Sequence, residues 1–254
     1  MLGKLIKFEF RSTARYFVPI YLAMVIVAGL AALVGALWER QSLFWFLSAA
    51  IYAMLAMALV VITVVAIISR FYKNLLGQEG YLMFTLPVST DSNILAKLIT
   101  SIAWTLGSLL LCLVTITIFN AGDRSLFLGL GDFFREGWSS VGGLLYGLLL
   151  AVLIMALCIL FCYLCMAIGQ LFNEHKFLAS AGAFLVLQTL LQILGVMGLF
   201  GVVTLGDRLN WQLNLEVDPP LWTVNLGLVV LLLALCLAEY FITRWLLDKK
   251  LNLA

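Results

Sequence analysis

The sequence predicts an all-α integral membrane protein with six transmembrane helices. Of its 254 residues, 64% are hydrophobic and only 11% are charged, whereas a soluble domain has about 25% charged residues. A soluble core of this size has no room for so much apolar surface. The chain also contains six apolar runs, and about 20 such residues suffice to cross a bilayer. The runs cover residues 17–38, 44–69, 98–119, 142–169, 178–203 and 222–243.

The distribution of Lys and Arg predicts that both termini lie in the cytoplasm. With the N-terminus inside, eleven basic residues fall in inner segments and four in outer segments, the bias typical of cytoplasmic loops. Acidic residues show no such bias, and the net charge of +2 gives no indication of nucleic-acid binding. The inner residues are Lys4, Lys7, Arg11, Arg15, Arg70, Lys73, Lys97, Lys176, Arg244, Lys249 and Lys250. The outer residues are Arg40, Arg124, Arg135 and Arg208.

Residues 1–16 predict an N-terminal amphipathic interfacial helix that leads into the first span. At about 100° per residue, its basic residues share one stripe and its apolar residues lie opposite. Glu9 projects into the middle of the apolar face, where an unpaired carboxylate is costly. We expect a partner on the inner ends of neighbouring helices, with Arg70 and Lys73 as candidates. The alternative is an interfacial Glu9 whose carboxylate reaches water. No cleavage site stands out behind the cations, so the first run is interpreted as a retained span.

The longest polar connection on the predicted inner side covers residues 70–97, and we refer to it as the inner connection. The second span is expected to continue as a helix through 70–73, while Pro87 prevents a helix from continuing through the residue before it. Good N-cap residues at 89–92 predict the start of the third span. The half-apolar piece 79–86 between these limits is typical of a docking element for another protein.

The inner connection resembles that of a known protein family. Glu79-Gly80, then Leu86-Pro87-Val88-Ser89 and then Lys97 resemble the cytoplasmic loop of permease subunits of type 2 ATP-binding-cassette (ABC-2 type) transporters. The basic N-terminal helix, the six spans and the inner termini extend the resemblance to the whole chain at the level of architecture. The chain differs from many members in having Glu79 as the only acidic residue between positions 70 and 90.

The resemblance implies a single permease domain over residues 1–254, the membrane subunit of an ATP-driven exporter of peptide, antibiotic or other amphiphilic compounds. Residues 71–86 would carry a coupling helix that fits a cleft in a separate ABC ATPase chain, with Glu79 as its charged contact. ATP and Mg would bind the ATPase, and this chain would bind no cofactor. Further implied partners are a second permease copy or a homologous permease, and membrane lipid, in a bacterial inner or plasma membrane. The implied coupling residues are Glu79, Gly80, Tyr81, Phe84, Leu86 and Pro87.

Polar residues inside the spans are candidates for a translocation path. Amides in hydrocarbon seek partners across helices, so packing also explains Gln188 and Gln192, which share one face of the fifth span. Small and polar residues that face each other would leave room for an amphiphilic compound. The candidate path residues are Gln188, Gln192, Asn225, Thr105 and Ser108, with Thr115 as a further one.

The sequence contains no energy source of its own. It lacks a G-x-x-x-x-G-K-[ST] loop, because its only Gly-Lys pair is Gly3-Lys4, far from any strand. An ion-driven transporter would carry ionisable residues near the membrane midplane, and Glu239 lies near a span end. No catalytic constellation falls within the spans, so we expect no enzyme activity. The alternatives to a permease are a non-transporting scaffold or immunity protein, and a channel.

The remaining connections and the cysteines indicate no metal or substrate-binding site. The outer loop 120–140 is too short for a substrate-binding domain, and the outer loop 204–221 is interpreted as a surface-lying or re-entrant piece. His175 has no second metal ligand at a suitable spacing, and we interpret it as a surface residue. The alternative is that the inner turn 173–176 is a second, smaller contact for the ATPase. Cys158, Cys162 and Cys165 have the C-x3-C-x2-C spacing of some iron–sulfur sites, but on a helix instead of a loop. Because free cysteine behaves as a small hydrophobe, we interpret these residues as packing.

Overall fold

A computed structural model shows six α-helices. The structure describes residues 2–37, 43–72, 90–120, 141–172, 175–208 and 221–249, and these ranges contain no β-strand. The helices are α1 (Leu2–Leu37), α2 (Leu43–Phe71), α3 (Thr90–Phe119), α4 (Val141–Gly169), α5 (Lys176–Arg208) and α6 (Leu221–Lys249).

All six helices are long and apolar enough to cross a membrane. This finding confirms the predicted all-α, six-helix organisation and indicates a multi-pass membrane protein. The shortest helices have 29 residues and the longest has 36, which correspond to about 44–54 Å at 1.5 Å per residue. The hydrocarbon layer is only about 30 Å thick. Each helix is therefore long enough to continue past that layer or to cross it at a tilt.

The N-terminal segment is part of the first long helix. The sequence predicts an interfacial helix over 1–16 and then a span, but α1 runs without a break from Leu2 to Leu37. Pro19 lies inside the helix, where it removes one backbone donor and does not interrupt it. The apolar face of the segment packs on protein, since Glu9, Thr13 and Phe17 are buried.

The chain divides into two compact units, Met1–Met155 and Ala156–Ala254. In the first unit, α1 packs extensively against both α2 and α3, and α2 and α3 contact each other less. One face of α1 supplies buried residues at intervals of three, four or seven, as expected for a single helical stripe. These residues are Glu9, Thr13, Phe17, Met24, Ala28 and Ala31.

Ring packing fills the middle of the first unit. The Phe17 and Trp104 rings stack with their centroids 4.7 Å apart, and Phe17 also clusters with Met24 and Leu59. Beyond them, Ala28 and Ala31 pack near Phe119. Small side chains on α1 permit this close helix approach.

The second unit contains α5, α6 and the last part of α4. Its core includes Leu164 and Ala167 of α4 and Leu246 of α6. A Cβ atom on Gly169 would lie 2.8 Å from the Cα of Ser180, so the chain needs glycine at this crossing. The single domain predicted for residues 1–254 stays a prediction.

The helix ends near the inner connection agree with the predicted limits. α2 ends at Phe71 and α3 begins at Thr90, within the ranges 70–73 and 89–92 that the sequence indicates. On the predicted outer side, α5 continues to Arg208, so the predicted outer loop 204–221 begins later than expected. Gly195, Gly198, Gly201 and Gly206 lower the helix propensity of this end of α5 without ending the helix.

Candidate functional site

Three charged side chains meet where α1, α2 and α3 pack together. Glu9 Oε1 lies 2.7 Å from Lys97 Nζ, and Glu9 Oε2 lies 3.0 Å from Arg70 Nη1. Glu9 is on α1, Arg70 is at the end of α2, and Lys97 is two turns into α3. We call these three residues the charge cluster. A single carboxylate therefore connects three helices.

The charge cluster is largely shielded from solvent. Glu9 is 4% exposed, Lys97 is 3% exposed, and the Arg70 side chain is 16% exposed. Removing an ion from water costs several kcal/mol unless opposite charges and hydrogen bonds compensate it. Each oxygen of Glu9 accepts a hydrogen bond from a cation, so the carboxylate is compensated on both sides.

Arg70 holds α1 at a second point. Its Nη2 atom donates a hydrogen bond of 2.7 Å to the Ser12 hydroxyl, while its Nη1 atom donates to Glu9. Ser12 and Glu9 are three residues apart and thus neighbours on the helix surface. A planar guanidinium suits this two-point contact, because its donors are fixed in a fork.

Three threonine hydroxyls near the cluster donate hydrogen bonds within their own helices. Thr13, Thr63 and Thr100 each donate a hydrogen bond of 2.7 Å to the carbonyl oxygen four residues earlier. These threonines therefore do not use their hydroxyl hydrogens to link helices. Side-chain hydrogen bonds of the charge cluster and Ser12 join α1 to α2 and α3.

A cavity of about 20 Å³ lies beside the charge cluster. This volume accommodates about one water molecule and is too small for a transported compound. Trp104 lines the cavity, and its indole N–H is buried without a hydrogen-bond partner in the described part of the chain. The full lining is Glu9, Thr13, Phe17, Thr63, Ala66, Ile67, Arg70, Lys97, Thr100, Ser101 and Trp104.

The structure confirms one of the two partners that we expect for Glu9. Arg70 pairs with it as predicted, whereas Lys73 lies outside the described residues. Lys97 is a partner that we do not predict from the sequence, yet it makes the shorter contact with Glu9. A signal for it is present in the sequence, because polar residues recur every three or four positions on α3. These residues are Asn93, Lys97, Thr100, Trp104 and Ser108, and four of them are buried.

The predicted coupling residues lie outside the described residues. They are Glu79, Gly80, Tyr81, Phe84, Leu86 and Pro87, all within 73–89. The structure instead describes the two flanks of that segment, and a basic residue of each flank contacts Glu9. Arg70 precedes the segment by three residues, and Lys97 follows it by eight. Both carboxylate oxygens of Glu9 therefore contact a cation, and these ion pairs hold Arg70 and Lys97 against α1.

Comparison with known proteins adds no family assignment. No protein-family model, curated protein or solved structure matches this chain. The resemblance to ABC-2 type permeases therefore depends on the inner-connection motif and the span architecture alone.

Three of the candidate path residues make side-chain hydrogen bonds within the first unit. The Ser108 hydroxyl is buried and lies 2.8 Å from the Tyr21 hydroxyl of α1. Thr105 donates a hydrogen bond of 2.8 Å to the Ser101 carbonyl of its own helix. Buried Thr115 bonds the Tyr52 hydroxyl of α2 at 2.9 Å. Hydrogen bonds between helices account for Ser108 and Thr115 without a path.

The other candidate path residues belong to the second unit. Gln188 and Gln192 are exposed along α5, so their amides face the surroundings of the chain. Asn225 lies in α6, and its side chain is outside the described set. The structure therefore places Thr105 and Ser108 on one helix, and the translocation path stays a prediction.

Neither cysteines nor acidic residues form a metal centre in the described ranges. All five cysteines are free thiols, and no group of three or more His, Cys, Asp or Glu side chains there can hold a metal ion. In α6, the Oε2 atom of Glu239 is buried and has no hydrogen-bond partner within the described residues.

Proposed function

We propose that this chain is the membrane-spanning permease subunit of an ATP-driven transporter of the ABC-2 type. A separate ATPase chain docks on the inner connection, residues 70–97, and supplies the energy. The cargo is a peptide, an antibiotic or another amphiphilic compound, and its direction is export. The permease acts with a second copy of itself or a homologous permease in a bacterial cell membrane, with both termini in the cytoplasm.

One observation supports the proposal beyond the sequence motif. Arg70 and Lys97, one on each flank of segment 73–89, both contact Glu9 of α1. A protein that moves the segment would also displace Arg70 on α2 and Lys97 on α3. Because both cations share one carboxylate, the displacement would reach α1 as well. A cytoplasmic contact would thereby act on three spans together, which is what an external motor requires.

Glu79 offers a direct test of the docking site. Glu79→Arg reverses one charge on the inner connection, outside the predicted spans. We expect the variant to insert and fold normally. We expect much less ATPase to co-purify with it in detergent pull-downs, and ATP-dependent transport to be lost. Co-purified proteins are identified by mass and tested for ATP hydrolysis.

Glu216→Arg is the matched control, because it makes the same charge reversal on a predicted outer loop. We expect the ATPase chain to co-purify with this variant as it does with the wild type. If the wild-type chain purifies without an ATPase under mild detergents and with nucleotide present, the permease proposal is wrong, and a scaffold or channel becomes the better interpretation. If Glu79→Arg binds and couples like the wild type, the ATPase docks elsewhere.

A further inference from the structure

The exposed face of α1 changes character along its length. Its first four turns present basic side chains, and the turns that follow present aliphatic ones. Most successive members are three, four or seven residues apart, which places both sets on one stripe of the helix, and we call it the outer stripe. The basic members are Lys4, Lys7, Arg11 and Arg15. The aliphatic members are Val18, Leu22, Val25, Ile26 and Leu33.

The basic part of the outer stripe carries charge of one sign. Glu9 is the only acidic residue of α1, and it is buried on the opposite face with Arg70 and Lys97. Its negative charge is therefore compensated inside the unit and does not offset the cations outside. Four positive charges remain exposed on the first four turns.

Two exposed aromatic side chains lie on the same turns of α1 as the basic part of the stripe. Phe8 is 63% exposed and Tyr16 is 60% exposed. Aromatic rings are enriched where a membrane protein meets the headgroup layer, and a basic helix face with aromatic residues is typical of a membrane surface. A face that only contacts water gains nothing from two exposed rings.

The length of the aliphatic part of α1 determines how far each basic residue lies from the hydrocarbon layer of the membrane. Residues 18–37 span about 30 Å in a helix, which equals the hydrocarbon thickness. For a helix along the membrane normal, Arg15 lies about 5 Å beyond this layer and Arg11 about 10 Å beyond it. Lys7 and Lys4 lie about 16 Å and 21 Å beyond it. The two arginines are thus within reach of lipid phosphates, and the two lysines are farther away.

We propose that the outer stripe of α1 binds anionic phospholipid. The lipid phosphate contacts Arg11 and Arg15, and the acyl chains lie along the aliphatic residues. An acidic protein in solution would match only the basic part of the stripe. A phospholipid matches both parts at the depth that the helix gives them. This inference does not depend on an ATPase partner or on transport.

The experiment compares two probes in vesicles that contain the full chain. The vesicles are phosphatidylcholine, with a trace of spin-labelled phosphatidylglycerol or of spin-labelled phosphatidylcholine. Electron paramagnetic resonance measures the motionally restricted fraction of each probe. We expect the wild type to restrict the anionic probe preferentially, since each basic side chain at the surface contributes on the order of fivefold to anionic lipid binding.

Two double variants separate a lipid site from general charge attraction. Arg11→Gln with Arg15→Gln should reduce the preference severalfold, and Lys4→Gln with Lys7→Gln should leave most of it. Both remove two exposed charges from the same helix, so thermal unfolding is expected to match the wild type in each. The second variant is therefore a matched control for both charge and folding.

Three results would overturn the inference. The first is a wild type that restricts both probes equally. The second is an equal loss in both double variants, which would indicate diffuse attraction without a site. The third is a loss confined to the lysine variant, which would place the lipid contact at Lys4 and Lys7 instead of the two arginines.

Discussion

Glu9 has two carboxylate oxygens, and each contacts a cation on a different helix. Pairing therefore does more than neutralise the Glu9 carboxylate, because it also links α1 to α2 and α3. Because α2 and α3 contact each other less than each contacts α1, the shared carboxylate is an important link between their ends. A buried ion pair has little net effect on stability against an apolar replacement, but breaking it is strongly destabilising.

We predict that Glu9→Gln destabilises the first unit. Glutamine keeps the size of the side chain but removes the negative charge that Arg70 and Lys97 contact. Loss of one partner from a buried pair costs about 3–5 kcal/mol. For a chain of this size, that cost lowers the unfolding midpoint by about 10 °C. Thermal unfolding of the purified chain in detergent measures the shift.

Lys7→Gln is the control for this prediction, because it removes one exposed charge from the same helix. Exposed substitutions usually change stability by less than about 0.5 kcal/mol. Equal midpoints for Glu9→Gln and the wild type would show that the charge cluster contributes nothing to stability.

At the scale of single residues, the sequence could indicate that Glu9 needs a partner but not all of its partners. The helical projection of residues 2–16 places Glu9 on the apolar face, and the charge count places Arg70 at the same membrane side. Lys97 is 88 residues away in the chain, and its direction depends on how α3 rotates. That rotation is set by packing, although the polar residues on one face of α3 indicate it.

At the scale of helices, polar side chains fix how α3 packs against its neighbours. Tyr21 of α1 meets Ser108, and Tyr52 of α2 meets Thr115 about two turns further along α3. Thr115 donates to the Leu111 carbonyl of its own helix, so we infer that the Tyr52 hydroxyl is the donor to Thr115. Hydrogen bonds of this kind hold a specific rotation of each helix, which apolar contacts alone define less sharply.

We predict that Tyr52→Phe weakens the contact between α2 and α3 by a modest amount. The ring stays and only the hydroxyl that bonds Thr115 is lost. Such bonds between transmembrane helices contribute about 0.6 kcal/mol on average and up to about 1.7 kcal/mol. A double-mutant cycle with Thr115→Val, analysed by unfolding in denaturant, isolates the coupling energy of the pair.

Tyr16→Phe serves as the control, because it deletes the same hydroxyl from an exposed tyrosine of α1. We expect it to be close to neutral and to show no coupling with Thr115→Val. A coupling energy of zero for Tyr52 and Thr115 would mean that the hydrogen bond does not fix the helix rotation.

At the scale of the whole molecule, hydrophobicity determines the helices but not their arrangement. Apolar length predicts all six spans, because a helix must satisfy every backbone group inside the bilayer. Apolar length does not predict that residues 2–16 continue α1 as one helix, since an interfacial helix and a helical extension have the same amphipathic pattern. The same holds for the candidate path residues. The polarity of Ser108 can be read from the sequence, but its contact with Tyr21 depends on how the helices pack.

The orientation of the chain can be tested with cysteine labelling. All five native cysteines lie within the spans, where a membrane-impermeant maleimide does not reach them, so the wild type provides an unlabelled background. Gly3 is exposed, and a side chain added there would project into open space, so Gly3→Cys should fold normally. Ser125→Cys marks the predicted outer loop 120–140. Eleven of fifteen basic residues lie on the side of Gly3 in the predicted topology, and that bias sets orientation.

We predict that the reagent labels Ser125→Cys in intact cells and labels Gly3→Cys only after the membrane is opened. The reverse pattern would place the inner connection and the charge cluster outside, where no ATPase can reach them. Labelling of both positions in intact cells would require an even number of membrane crossings between residues 3 and 125 instead of the predicted odd number. The membrane side of Glu9, Arg70 and Lys97 is therefore a condition for the proposed transport function, and this measurement tests it separately from any cargo or partner.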